Sequence, residues 1–327
     1  MDYLTAGSLP WLAEAQRRLR EAGNAGRLPH SSLILSAPGL GALHLTNWLT
    51  ALALCEARAE RPCGACASCG LLRADTHPDV HRVALAEDAR QIKVDQIRDL
   101  TDALATKSYR GGCKIGIVED AEALNSNGAN AFLKTLEEPS ADTLLIMIAR
   151  PSHRLPATIA SRCLRIVLRP PERAEALAWL QRQGPPGVEW EGPLTLAGGA
   201  PLLAVALSAE GIAELDTAMR EDLKALAAGA VDVTLVAERW ARTSPELRLI
   251  WLENWITWRV HTCCGGHNSS QSAEPVRLPA ALLKPKIRAL FELLDAAREL
   301  RRLASTGVNQ QLALEALLAG GRDALAA

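Results

Sequence analysis

Tyrosine and phenylalanine are nearly missing from this chain, with two of each in 327 residues, and methionine occurs three times. Eight of the twelve aromatic residues are tryptophan, so bulky core surface must come from indole rings and leucine. No run of about 18 apolar residues occurs, which argues against a membrane-spanning helix. A basic-then-apolar leader pattern is also lacking, and the expected compartment is the cytosol. Neither sign of charge is in excess: 36 basic and 37 acidic side chains leave a net charge of −1. That balance argues against a strongly basic protein that coats DNA, while local basic patches stay open. With 48% hydrophobic residues, the chain has enough apolar material for two or three packed domains and is not disordered. Eight cysteines in a reducing compartment point to a metal or free thiols before disulfides.

The chain is organised around residues 114–139, KIGIVEDAEALNSNGANAFLKTLEEP. Ile115-Gly116-Ile117-Val118 is too short for a helix and β-branched enough for a buried strand. Glu119, Asp120 and Glu122 follow at once. Asn130–Glu138 then carries Ala131, Leu133 and Leu136 at helical spacing and stops at Pro139. A buried parallel strand ending in carboxylates is a place where α/β folds hold a metal–nucleotide. Solvated acids in an ordinary strand–loop–helix unit are the alternative.

Upstream, Leu9–Ala22 reads as an amphipathic helix and Ser32–Leu35 as a short strand. The strand runs into Ser36-Ala37-Pro38-Gly39-Leu40-Gly41-Ala42-Leu43 and then a helix through Leu45, Trp48, Leu49 and Leu52. Strand, glycine-rich turn and helix form the setting of a phosphate-binding loop. Its chemistry is missing. A working loop needs a lysine for the outer phosphates and a Ser or Thr hydroxyl for magnesium. Those places hold Ala42 and Leu43. Gly39 and Gly41 could shape a backbone cradle for an anion, but without a cation the loop is expected neither to bind nor to hydrolyse nucleotide.

Cys55, Cys63, Cys66 and Cys69 come next. Four thiols at this spacing can close a tetrahedral site with no open position, which is what structural zinc takes. Gly64 and Gly70 allow the tight turns. Redox or free thiols are the alternative. Cys113, Cys163, Cys263 and Cys264 lack such spacing and read as thiols. His77 and His81 read as surface or core histidines beside a ligand set already complete. Val80–Leu85 is a strand, and Ile92–Leu104 a helix whose Lys93 and Arg98, with Arg90 nearby, read as a solvated face. Thr143–Ile148 is a second buried strand, and Leu155–Cys163 a short helix ending in Arg162.

Alternating strands and helices to residue 168 indicate a doubly wound α/β domain. Pro170-Pro171 opens a helical region. Residues 169–210 form a small helical domain, and from 211 onward everything reads helical. Trp251, Trp255 and Trp258 share one helix face and read as a core stripe, with a nucleic-acid stacking platform as the other possibility. Gly265–Glu274 is a polar loop, expected to be mobile. Leu282–Leu303 and Asn309–Leu318 are the last helices.

The glycine-rich loop, the four-cysteine insertion, IGIVEDAEAL, NAFLKTLEEP, Ser161-Arg162-Cys163 and NQQLALEALL together resemble the bacterial clamp-loader subunits of the AAA+ class. The resemblance covers nearly the whole chain. It implies an AAA+ α/β domain over 1–168 with a zinc insertion at 55–69, a helical lid over 169–210 and a helical collar over 211–327. It implies a heteropentameric ring with motor subunits and a delta subunit, which opens the sliding clamp and closes it on primed DNA during replication. The loss of Lys and Ser/Thr at Ala42 and Leu43 fits the non-motor member of that ring in the DNA polymerase III holoenzyme, itself inactive within a nucleotidyltransferase assembly. In the family the SRC arginine reaches the neighbouring subunit's ATP, and here it is Arg162. A guanidinium is always charged and offers phosphate a planar fork of donors. A local salt bridge is the alternative for Arg162. The family's polar sensor falls at Ala149 and its lid arginine near Leu202, both apolar here, and Glu119 and Asp120 are left without a nucleotide to act on. Two competing functions remain: an autonomous ATPase with a degenerate loop, and a zinc-dependent nucleic-acid module reading through Arg58, Arg61 and Arg73.

Overall fold

The computed structural model describes residues 8–57, 60–86, 89, 91–151, 155–209, 212–263, 280–303 and 309–321. The loop expected at 265–274, Arg58, Arg90 and Cys264 lie outside the described residues. The chain divides into two compact units, 1–171 and 172–327.

The first unit is built on β1 (Ser31–Leu35), β2 (Val80–Val83), β3 (Lys114–Val118), β4 (Thr143–Ala149) and β5 (Leu164–Val167). All pair in parallel, in the order β2-β3-β4-β1-β5. Parallel strands need crossovers, and helices supply the covering layers. These are α1 (Ala13–Asn24), α2 (Ala42–Leu54), α3 (Ala67–Arg73), α4 (Val94–Ala105), α5 (Ser126–Glu137) and the single turn α6 (Ala157–Ala160). Every residue of β3 and β4 is buried, the apolar runs 115–118 and 144–149 together with the polar Lys114 and Thr143 that lead into them. Ile97, Leu100 and Leu104 of α4 and Phe132 and Leu136 of α5 close one core with Leu145 and Met147. Gly116 permits this packing. A Cβ there would lie 2.8 Å from Leu104 and 2.9 Å from Leu145. At the other edge β5 is largely exposed, and that strand is absent from the sequence reading because its residues show no buried run.

The α5 helix begins earlier than its apolar spacing suggests. Asn125 caps it, its side-chain oxygen accepting from Gly128 N–H at 2.7 Å. Because the strands are parallel, the segments after β1, β3 and β4 leave from one edge of the sheet. This brings the glycine-rich loop, Glu119-Asp120 and Ala149 to that edge.

Among the described residues the second unit is all-helical: α7 (Arg173–Gln183), α8 (Glu191–Leu196), α9 (Pro201–Ser208), α10 (Ile212–Ala227), α11 (Val233–Arg242), α12 (Pro245–Cys263), α13 (Ala280–Leu303) and α14 (Gln310–Gly320). Two indoles anchor it. Trp240 Nε1 donates to Asp222 at 2.8 Å and Trp251 Nε1 to Asp216 at 2.9 Å, tying α11 and α12 to α10. A buried indole N–H needs such a partner. Trp251 is core, while Trp255 and Trp258 are half-buried. Trp255 stacks on Trp251 at 6.1 Å, with Arg259 over its ring. The three share a helix face as expected, but only the first is sealed.

Candidate functional site

The glycine-rich loop turns at two left-handed glycines before α2 and is covered by apolar side chains. Gly39 and Gly41 have φ of 78° and 88°, values that only glycine adopts easily. Gly41 caps α2, and Ala42 and Leu43 are the first two residues of that helix. Leu9 and Leu12 press on the turn; a Cβ on Gly41 would sit 2.7 Å from Leu9 and 3.3 Å from Leu12. Trp11, in the 3-10 turn Pro10–Leu12, donates its indole N–H to the Leu40 carbonyl at 2.9 Å. Leu43 is 47% exposed and brings no charge to the loop.

The acids after β3 are engaged. Arg82 of β2 donates to Glu119 Oε1 at 3.1 Å and to Asn47 Oδ1 of α2 at 2.7 Å. Asp120 accepts the Leu85 N–H at 3.2 Å. Ala149 is buried, and its carbonyl accepts from Ser36 N–H at 3.0 Å. Leu202 lies in the first turn of α9.

Cys55, at the end of α2, converges with Cys63, Cys66 and Cys69, all four sulfurs lying within 4.8 Å of one another. Cys55 and Cys66 sulfurs are 4.0 Å apart. A tetrahedron of thiolates at zinc distance has edges of about 3.8 Å, so the donor set fits that metal. Backbone N–H groups of Ala65 and Cys66 lower the Cys63 thiol to about 6, a sulfur prepared as thiolate. Burial raises Cys55 and Cys69 instead. A cation is what would keep those two deprotonated.

Behind the cluster runs a relay that sequence reasoning missed. The buried carboxylate of Asp79 accepts Tyr109 N–H at 2.7 Å and Arg110 N–H at 3.1 Å. Asp79 N–H donates to His77 Nδ1 at 3.2 Å. The ring proton therefore sits on Nε2 and faces Ser68 Oγ at 3.4 Å. Ser68 Oγ donates to Glu56 at 2.7 Å, and Arg110 donates to the same oxygen at 2.9 Å. Ser68 and Arg110 hold the Glu56 carboxyl below the usual carboxylate range. His77 is thus a buried brace between the cysteine knuckle and loop 106–113. His-Pro-Asp marks only a turn in sequence, so nothing local signals the relay.

Arg162 follows α6. Its carbonyl accepts the hydroxyl of the buried Ser31 at 2.6 Å, which fixes the backbone to the start of β1. Its side chain, 35% exposed, donates to the Thr158 carbonyl at 2.8 Å and pairs with Glu137 at the end of α5. The expected arginine is thus at the surface on a rigid mount, and the local salt bridge named as its alternative is present. Neither Arg82 nor Glu137 had a sequence signal as a partner, because both pairings cross between elements.

A parallel α/β unit with a cation-free glycine-rich loop, followed by a helical unit, is the architecture that the sequence resemblance to AAA+ clamp-loader subunits implies. The model of the family described as "DNA polymerase III, delta subunit" matches residues 11–172. The delta-prime subunit from Pseudomonas aeruginosa is 36% identical over 75% of this chain and 75% of its own. That from Yersinia pestis is 31% identical over 97% of this chain and 96% of its own. A solved DNA polymerase III gamma-subunit-related protein from Thermotoga maritima aligns over 96% of this chain and 99% of its own, at 20% identity and a TM-score of 0.42. The chain belongs to the delta-prime subunits of DNA polymerase III. Its part in clamp loading is non-catalytic, within a complex of polymerase III subunits and the sliding clamp. Among the described residues, no helix is long and apolar enough to cross a membrane.

Proposed function

We propose that this subunit sits in a heteropentameric ring with motor subunits and a delta subunit, binds no ATP itself and lends Arg162 to the ATP of a neighbouring motor subunit. The ring so formed acts on the clamp at primed DNA, with residues 169–210 as lid and 211–327 as collar. One observation carries the reading. An always-charged guanidinium stands at the surface on a backbone anchored by Ser31, in a chain whose own loop offers Ala42 and Leu43 where a lysine and a hydroxyl are needed. An arginine supplied in trans stabilises the charge that develops on the transferred phosphoryl group. Leu9, Trp11 and Leu12 over the loop support the absence of nucleotide at home.

Purified alone, the chain is expected to show no ATP turnover. In the reconstituted complex, Arg162→Ala is expected to slow the site it serves by about 10³-fold, so total turnover falls by that site's share. Single-turnover kinetics resolves that share. Unchanged kinetics would remove the trans role, and magnesium-dependent turnover by the isolated chain would favour the autonomous ATPase. For the cysteine cluster, we propose a structural zinc on Cys55, Cys63, Cys66 and Cys69. The four convergent sulfurs and the prepared Cys63 thiolate support it. Two of the basic residues beside it are engaged within the chain, Arg73 with the Gly64 carbonyl and Arg61 with the Gly23 carbonyl, which disfavours a base-reading module.

A further inference from the structure

We infer that Glu137 is a clasp that holds Arg162 against its own subunit, so that the arginine turns both terminal nitrogens to the neighbouring ATP only when phosphate displaces the carboxylate. The inference rests on the trans role proposed for Arg162. Both terminal nitrogens of the guanidinium are turned back onto their own chain. Nη1 donates to the Thr158 carbonyl at 2.8 Å, with Ser161 Oγ at 3.4 Å, and Nη2 pairs with Glu137 Oε1. Two of the three guanidinium nitrogens are thus engaged within the chain, and a phosphate that takes both terminal nitrogens must displace Glu137.

The mount and the clasp differ in strength. The Arg162 carbonyl is tied to buried Ser31, so the residue itself does not move away. The Glu137 carboxylate is half exposed, at 49%, and its partner is 35% exposed. Exposed ion pairs contribute at most about fivefold to an equilibrium constant. Such a pair orients the side chain while free and yields to a polyphosphate, whose several charges outcompete one carboxylate. Glu137 also sits at the last residue of α5, where the helix dipole leaves negative charge. Carboxylate and helix end together make a local sink for the guanidinium. Glu137 is therefore a positioning residue acting through Arg162.

The test uses the reconstituted clamp-loader complex with Glu137→Gln, Arg162→Ala and the double variant. Glutamine keeps the shape and removes the charge. Expected is a two- to fivefold rise in kcat/KM for ATP at the served site, carried mainly by a lower KM, because the arginine no longer has to be released. In the Arg162→Ala background the Glu137→Gln change should have no effect. Glu138→Gln, one residue on, controls for general charge, and complex mass and thermal midpoint control for folding. An unchanged kcat/KM, or a fall resembling that of Arg162→Ala, would overturn the clasp. If Arg162→Ala itself changes nothing, the trans role fails first; if it slows turnover while Glu137→Gln is silent, only the clasp fails.

Discussion

His77 shows how one buried ring ties chemistry to stability. Burial lowers its pKa, and the Asp79 N–H donated to Nδ1 requires the neutral form. An unfolded histidine titrates near 6.5, so below about that pH the unfolded chain binds a proton that the native chain refuses. The stability contribution is therefore full above about pH 6.5 and falls as pH drops through the range down to the lower native value. Thermal melts of the wild type and His77→Gln from pH 7.5 to 5.5 should converge as pH falls, the variant starting lower but sloping less. Parallel curves would mean that His77 does not carry the titration. Arg82 makes a related point. By bonding Glu119 and Asn47 together it gives the acid after β3 a structural partner.

At the scale of elements, the glycine in Ile115-Gly116-Ile117-Val118 looks like a flaw in a strand and is a packing device. A methyl group there would meet Leu104 of α4 and Leu145 of β4 inside 3 Å. Core overpacking of this kind costs about 1–3 kcal/mol. Gly116→Ala should lower the thermal midpoint by roughly 2–4 °C per kcal/mol lost. An unchanged midpoint would show that α4 can slide to make room. The strand itself was readable from its apolar run, as was β4, because burial on both faces leaves an unbroken hydrophobic stretch, and most helices were readable from apolar residues at helical spacing. The convergence of the four cysteines was readable from spacing, because short loops force neighbours in sequence to be neighbours in space. Strand β5 was not, since Leu164 and Val167 are exposed and the strand is recognisable only by its pairing to β1. Nor were the roof of Leu9 and Leu12 on Gly41, the His77–Asp79 relay or the identity of Glu137 as the acid that pairs with Arg162. Each joins residues from separate elements, and a one-dimensional pattern holds no record of which side chains the topology brings together.

At the scale of the whole molecule, the cysteine knuckle reaches into the first unit's sheet layer at several points. Cys55 closes α2, the helix that leaves the degenerate loop. Glu56 and Ser68 lead through Arg110 to the segment entering β3, and through His77 and Asp79 to the segment entering β2. A zinc here would organise these entries and not just a surface bump. Binding energy of a structural metal is folding energy, because the unfolded chain has no preformed site. Stripping the metal should therefore lower the midpoint of the first unit and leave α10–α14 of the second unit to melt as before. The full chain is expected to hold one zinc per molecule by elemental analysis, and Cys66→Ser to lose most of it. Hydrogen exchange should then rise across residues 55–81 and 106–113 but not across 212–263. A full metal complement in Cys66→Ser would mean that the ligand set is wrong. Metal loss with exchange confined to residues 60–70 would mean that the knuckle is an independent appendage and that the relay does not transmit its stability to the sheet.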